Sequence, residues 1–324
     1  MSSQVPESPE QILIVKPSSL GDIVHTLPVA AALHDHWPDA HISWLVRPEF
    51  APVLEANPAI HDTIPFPRSQ FRGPSGLLRG AAWAAKLRRI RADITLDLQG
   101  LLRSALFARL GSHGIVAGMD DAREGARSFY HLTAAIDPAT HSVQRYLALV
   151  EILGIPLPSP ARFTLPPGQQ PEAAPSSPFI LFHPYARGEG KSLDRDLVEH
   201  FCQECPTPIV LVGRTEVEPP RLGQNVLNLL NQTSLPELIW LIRHAEAVIS
   251  VDSGPMHIAA AVTNRLLAIH TWTDPLSVGP FNPTASVWKS GQILPVDALS
   301  DIERPPGRMP GISDLPDFFG WLQG

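Results

Sequence analysis

With 324 residues, 44% of them hydrophobic and 18% charged, the chain has the composition of a soluble globular protein rather than a disordered or collagen-like one, and its length suits two domains better than one core. Its formal net charge of −7 argues against a general nucleic-acid binder, and its two cysteines, Cys202 and Cys205, define no disulfide framework, which fits a reducing compartment. Residues 1–11 have neither the basic start nor the apolar centre of a secretory signal, and no apolar run reaches the roughly 20 residues of a membrane span, so the expected location is cytoplasmic.

The apolar run Ile12, Leu13, Ile14, Val15 has the pattern of a buried parallel strand, and residues 16–28 form a polar turn entering an alanine-rich helix that continues to Leu33. The turn collects a cation (Lys16), two hydroxyls (Ser18 and Ser19), a flexible glycine (Gly21), a carboxylate (Asp22) and an imidazole (His25). Such a loop falls at the carboxyl edge of a parallel sheet, where open α/β folds bind their ligands. Residues 40–47 and the shorter 59–66 continue the strand pattern. From 68 to 91 the chain carries seven basic residues (Arg68, Arg72, Arg79, Lys86, Arg88, Arg89 and Arg91) and no acid. Two readings stand for this stretch: a solvated loop and helix with one apolar face, or a docking patch for an anionic, partly lipidic partner. Residues 93–98 form another buried-strand pattern, 101–110 a helix for which Gly111 is the expected C-cap, and 114–117 a short strand. A polar loop over 118–127 carries Asp120, Asp121, Arg123 and Glu124, and a helical pattern over 141–153 places Arg145 one turn after His141.

Eight prolines fall within residues 154–178 and mark a boundary between domains. The expected organisation is a first domain over 1–155, a proline-rich linker over 156–178, a second domain over 179–300 and a terminal segment over 301–324. Beyond the linker the βα rhythm restarts. Residues 178–182 and 208–212 are strand-like, 225–230 leads through a polar turn to a helix over 235–244, and 247–251 is the last clear strand before a second dense polar site. Two βα-repeating halves argue for two doubly wound domains. Cys202 and Cys205 form a C-x-x-C within the helical pattern 197–204, with no second cysteine pair to complete a zinc site, and are assigned to the core.

Residues 251–261 (Val-Asp-Ser-Gly-Pro-Met-His-Ile-Ala-Ala-Ala) repeat the logic of the opening turn, with a proline where the first helical turn accepts one. A helix start of this kind offers backbone N–H groups and the positive end of its dipole to an anion such as a diphosphate. Asp252 would repel that anion and so suits sugar hydroxyls, with Ser253 and Gly254 nearer the phosphates. His257, one turn in, either faces the ligand or packs in the core. Moving a sugar from a nucleotide requires a base for the attacking hydroxyl, charge stabilisation for the departing diphosphate and recognition of hydroxyls. Asp22 is the candidate base, or else an acid that caps its own helix. Lys191, in the loop with Arg187, Gly188, Glu189 and Gly190, is the candidate clamp on the leaving group, or else a surface lysine.

The run Lys-Pro-Ser-Ser-Leu-Gly-Asp-Ile-Val-His-Thr-Leu-Pro at 16–28 and the 251–261 run closely resemble the ADP-heptose:lipopolysaccharide heptosyltransferases, glycosyltransferase family 9, especially the heptosyltransferase I branch. So do Asp-Leu-Gln-Gly-Leu-Leu-Arg-Ser at 97–104, Gly-Met-Asp-Asp-Ala-Arg-Glu at 118–124 and His-Ser-Val-Gln-Arg at 141–145, and the similarity runs in order over nearly the whole chain. The resemblance implies a GT-B fold: two Rossmann-like α/β domains with a cleft between them, acceptor mainly on the first and nucleotide-sugar on the second. It implies an inverting glycosyltransferase with no covalent intermediate, no cofactor and no obligatory metal. The reaction would move L-glycero-D-manno-heptose from ADP-heptose to the Kdo-lipid A inner core in lipopolysaccharide biosynthesis. By the same resemblance Asp22 is the catalytic base, Lys191, Asp252, Ser253 and Gly254 bind the donor, and Arg123 and Arg145 bind the acceptor. The chemistry of the residues themselves adds His257 to the donor side and Ser18, Ser19 and Gly21 to the acceptor side. The implied partners are a nucleotide-sugar and an anionic glycolipid, met at the cytoplasmic face of the inner membrane, which would give residues 68–91 their partner. The terminal cluster Phe318, Phe319 and Trp321 needs a surface to bury against, and by analogy with GT-B proteins that surface is the first domain. Departures from the family pattern gather around the donor: Ser253 replaces a threonine, Pro184, Tyr185 and Ala186 replace threonines after a histidine, and Thr-Trp-Thr-Asp-Pro at 271–275 stands where Tyr-Gly-x-Thr-Asp-Pro is usual. The alternatives are the same machinery with another nucleotide-sugar or acceptor, or a nucleotide-sugar epimerase or hydrolase on the same two-domain fold.

Overall fold

A computed structural model of the chain describes residues 4–71, 74–188, 190–216, 218, 220–301 and 307–324. Arg72 of the basic stretch and Glu189 of the Lys191 loop lie outside the described residues. The chain divides into two compact units, Met1–Pro166 and Pro167–Gly324, parting within the proline-rich stretch.

The first unit is a six-stranded parallel sheet. Its elements are β1 (Gln11–Val15), α1 (Leu20–His36), β2 (His41–Val46), β3 (Asp62–Pro65), α2 (Pro74–Arg88), β4 (Ala92–Asp97), α3 (Leu102–Gly111), β5 (Ser112–Met119), β6 (Leu132–Ala134) and α4 (Ser142–Glu151). Ile12, Leu13, Ile14 and Val15 are wholly buried, as a central strand covered on both faces requires. The strand order is β3-β2-β1-β4-β5-β6. The chain winds outward from β1 to β3 and then returns to the far side of β1 to lay down β4. That reversal brings the ends of β1 and β4 together at a topological switch point, where such sheets bind ligands. Gly111 does not act as the expected C-cap. It ends α3 where a Cβ would lie 2.6 Å from Leu13 Cδ2, so its role is the close approach of helix to sheet.

The second unit repeats this winding. Its elements are β7 (Ile180–His183), α5 (Arg195–Glu204), β8 (Ile209–Leu211), β9 (Val226–Asn228), α6 (Leu235–His244), β10 (Ala247–Val251), α7 (Gly254–Val262), β11 (Leu266–His270), α8 (Pro275–Val278), β12 (Ser286–Lys289), β13 (Gln292–Pro295) and α9 (Leu315–Gln323). The order is β13-β12-β11-β10-β7-β8-β9, parallel except for the β12–β13 pair, so β7 and β10 meet at its switch point. Three further strands, β11 to β13, follow the polar turn after β10. Ser234 and Glu237 start α6 as a capping box, with Glu237 accepting from the Ser234 N–H at 2.7 Å. Cys202 and Cys205 are free and buried on and just after α5, and burial with the neighbouring sulfur pushes the Cys202 thiol up to about 12, which leaves it an inert core group.

The terminal segment departs from expectation. Leu315 and Phe318 of α9 enter the second unit's own core with Phe201 and Trp288, and Phe319 stacks on Phe201 at 5.4 Å. The apolar face of α9 therefore buries against the sheet that precedes it, anchored by a two-pronged Arg308–Asp314 ion pair. Phe318→Ala should accordingly cost about 3–5 kcal/mol, read by chemical denaturation as loss of the second unit.

Candidate active site

At the first switch point the ammonium of Lys16, 3% exposed, is enclosed at the end of β1. It donates to Leu98 O after β4 at 2.7 Å and to the Tyr146 hydroxyl of α4 at 2.8 Å, and lies 3.6 Å from Asp22 Oδ1. Tyr146 in turn donates to Asp22 Oδ1 at 2.6 Å. The other carboxylate oxygen accepts from the Ser19 hydroxyl at 2.6 Å and the Ser19 N–H at 3.1 Å. Asp22 is thus both the acid that caps α1 and the exposed end of a buried charge network. Burial alone would push its carboxyl up; Lys16, Ser19 and Tyr146 outweigh burial and hold it well below the usual carboxylate range. A carboxylate has about four lone-pair positions, and these three hydrogen bonds leave one for a ligand. The side chain is 36% exposed, so that position is accessible.

Asp97, at the end of β4, is wholly buried and accepts from the Gln99 and Gly100 N–H groups, the Ser104 hydroxyl and the Tyr130 hydroxyl. The 97–104 run is therefore a turn tied to its own aspartate. Gly118 lies under the Tyr130 ring, where a Cβ would fall 2.3 Å from it. Ser18 meets Gln99 through its backbone N–H at 3.3 Å, and Gly21 is buried in the first turn of α1. Arg123 docks by its backbone on Gly100 O and exposes its side chain, whose charge acts on Lys16. Arg145 is ion-paired with Asp121.

At the second switch point Asp252 follows β10 and is buried. Its Oδ2 accepts from Lys191 Nζ at 2.9 Å, and His257 Nε2 of α7 lies 3.8 Å from Oδ1. The lysine is thereby tied to the site, and His257 is both buried and turned to Asp252. Burial pushes the Asp252 carboxyl up, and His270, Lys191 and His257 together bring it below its ordinary value. Burial also holds His270, and likewise His183 at the end of β7, at about 4, so both are neutral near pH 7. Ser253 stands at the N-cap of α7 with its hydroxyl on Val251 O at 3.2 Å. Pro255 has no N–H, and the Met256 and His257 amides turn back to Ser253 O, so the Gly254 amide is what this turn has left for an anion.

Tyr146 lies in the helical pattern 141–153 without a signal of its own, and Gln99 and Trp272 lie within the runs 97–104 and 271–275 with no individual role expected for either. A basin of about 560 Å³ lined by His41, Lys86, Arg91 and His113 opens at the amino-terminal edge of the first sheet, the opposite end from Asp22. Among the described residues no group of three or more His, Cys, Asp or Glu side chains is arranged to hold a metal ion.

Paired doubly wound units, each with polar residues at its switch point, are the architecture of GT-B glycosyltransferases. Residues 81–295 match the profile of Glycosyltransferase family 9 (heptosyltransferase). Two proteins named lipopolysaccharide heptosyltransferase 1 are 30% identical to this chain: that of Pseudomonas aeruginosa over 84% of this chain and 81% of its own length, and that of Salmonella typhimurium over 90% and 98%. The structure of E. coli heptosyltransferase WaaC with ADP matches with a TM-score of 0.69 at 25% identity, covering 90% of this chain and 98% of that one. E. coli ADP-heptose heptosyltransferase II shares the fold, with a TM-score of 0.71 at 23% identity over 97% and 98%. The chain belongs to glycosyltransferase family 9 and is a glycosyltransferase.

Two outcomes follow from this geometry. Tyr146→Phe removes the oxygen that bridges Lys16 and Asp22, and should cost about 1–3 kcal/mol of stability by denaturation while moving the Asp22 pKa upward in a carboxyl-resolved NMR titration. His183 and His270 titrate near 6.5 once unfolded but at about 4 when folded, so the unfolded chain binds more protons in that window. Asp97, pushed up by burial, acts in the opposite sense. Thermal midpoints should therefore fall as pH is lowered from about 6.5 to about 4, with a shallower slope in His270→Gln.

Proposed function

We propose that the chain transfers L-glycero-D-manno-heptose from ADP-heptose to the Kdo-lipid A inner core of lipopolysaccharide, with inversion and by a single displacement. The observation that carries this reading is Asp22: an ionised carboxylate, locked by three hydrogen bonds, with one lone-pair position open at the sheet edge where ligands bind. The heptosyltransferase 1 relatives supply the substrate class.

The acceptor hydroxyl gives its proton to Asp22 as its oxygen attacks the anomeric carbon, and the bond from that carbon to the diphosphate oxygen breaks. A retaining double displacement would need a second carboxylate as nucleophile. Asp97, the other carboxylate acting on Lys16, is fully buried and has both oxygens engaged. ADP leaves with a growing negative charge that Lys191 and the Gly254 amide meet. The ammonium has three N–H groups, one held by Asp252, and two remain for phosphate oxygens. Asp252 so placed orients the lysine, while Ser253 and His257 complete the donor side. Ser18, Ser19 and Gly21 shape the acceptor turn, with Arg123 and Arg145 meeting acceptor anions. The residues assigned to the reaction require no cofactor or metal.

We place the enzyme at the inner face of the inner membrane, bound peripherally. Among the described residues no helix is long and apolar enough to cross a membrane. On α2 and just after it the side chains of Leu78, Arg79, Lys86, Arg88 and Arg89 are exposed, a cationic surface with an apolar residue suited to anionic lipid.

Asp22→Asn keeps the shape of the turn and removes the base. Heptosyl transfer to Kdo-lipid A, followed by mass spectrometry, should fall by about 10²–10⁴, with ADP affinity by calorimetry unchanged within about twofold. Near-normal turnover in this variant would refute the assignment. A second nucleotide-sugar is the competing donor, favoured if ADP gives no binding heat while another nucleoside diphosphate does.

A further inference from the structure

The loop that carries Lys191 closes on itself at its base. Ser192 Oγ accepts from the Ala186 N–H at 3.1 Å and donates to Ala186 O at 3.0 Å, and the Leu193 N–H reaches Pro184 O at 2.9 Å. Its tip is held from elsewhere. Gly190 sits at φ +72°, and a Cβ there would fall 2.0 Å from Nε1 of Trp272 and 2.9 Å from two further ring atoms, so the indole rests directly on the Gly190 backbone. Beside it the Thr271 hydroxyl donates to Gly190 O at 2.8 Å. The segment bearing Trp272 is itself firm: Lys289 Nζ donates to Thr271 O at 2.7 Å and to Thr273 O at 3.1 Å, and His270 Nδ1 meets Thr273 Oγ1 at 2.9 Å.

Trp272 is 63% exposed, which is poor use of the largest apolar side chain if its role were core packing. Its ring packs tightly against the residue before Lys191, whose chain reaches Asp252 from there. We propose that Trp272 is a positioning residue for the Lys191 ammonium: its indole presses the loop tip at Gly190 so that the lysine stays on Asp252 and presents its two remaining N–H groups to the donor diphosphate. Gly190 is part of the same device, since any side chain there would strike the ring and strain the left-handed backbone. The role as donor clamp rests on the function proposed above, whereas the latch on Lys191 is a property of the free protein.

The test has two arms on the full chain. In the first, acetylation of lysines by acetic anhydride is followed by peptide mass spectrometry without ligand, in wild type, Trp272→Ala, Trp272→Phe and Gly190→Ala. Lys191 should label several-fold faster in Trp272→Ala and Gly190→Ala, and at the wild-type rate in Trp272→Phe, which keeps an aromatic plate. Lys289 should label equally in wild type and Trp272→Ala. An unchanged Lys191 rate in Trp272→Ala, or an equal rise at Lys289, would overturn the proposal. In the second arm Trp272→Ala should raise the donor KM about tenfold with kcat within about threefold, and Trp272→Phe should restore it; loss confined to kcat counts against the latch. If wild type shows no affinity for ADP, the donor assignment fails while the labelling arm still decides whether Trp272 holds Lys191.

Discussion

A buried ammonium must be surrounded by acceptors, and the first unit is arranged around meeting that demand at Lys16. Its backbone is the end of β1, its partners are a carbonyl just past β4, a phenol on α4 and a carboxylate on α1. Four elements are thereby fixed to one nitrogen, which lies where the strand order reverses. Trp44 adds a fifth attachment, its indole N–H donating to Lys16 O at 3.1 Å. Removing any one partner leaves the others facing an undersolvated charge, so the network holds as a unit or not at all. The consequence for chemistry is that Asp22 has no freedom to fold away. Its capping bonds to Ser19 and its contact with Tyr146 fix both oxygens, and the geometry of the remaining lone pair is inherited from the core.

Much of this was legible in the chain, and the limits are physical. The strands buried on both faces announced themselves as short apolar runs, and 247–251 and 235–244 match β10 and α6 to the residue. Strands β11 to β13 did not: only Thr263, Asn264 and Arg265 separate the apolar run of α7 from Leu266–His270, and β12 and β13 are four-residue strands. Polar clusters at two turns drew attention to Asp22 and Asp252, and both lie at the switch points of their sheets, Asp22 serving also as the acid that caps α1. Tyr146 and Trp272 stayed hidden for opposite reasons. The first looks like one more apolar residue on an amphipathic helix, and its hydroxyl matters only because α4 lies beside α1. The second matters only through a glycine 82 residues earlier. Both are long-range pairings, which periodicity cannot encode. The motif at 97–104 misleads in another way: it carries a family likeness, yet its aspartate is spent on its own turn.

The two units share one topology and place a lysine–aspartate pair at the same point, with burial reversed. In the first, Lys16 is 3% exposed and Asp22 36%; in the second, Lys191 is 34% exposed and Asp252 9%. A pair buried at its cationic end presents an anion to solvent, and a pair buried at its anionic end presents a cation. The first suits a group that receives a proton, and the second a group that neutralises phosphate. Each hidden partner does the same work, holding the exposed one charged and aimed, so the chemical polarity of each half follows from which member of the pair the sheet covers. The source of the lysine sets which it is. Lys16 continues the central strand directly and is enclosed with it, whereas Lys191 arrives eight residues past the end of β7 on a loop that stays at the surface. A loop lysine gains reach and loses rigidity, and for that reason the second unit needs an outside brace where the first does not.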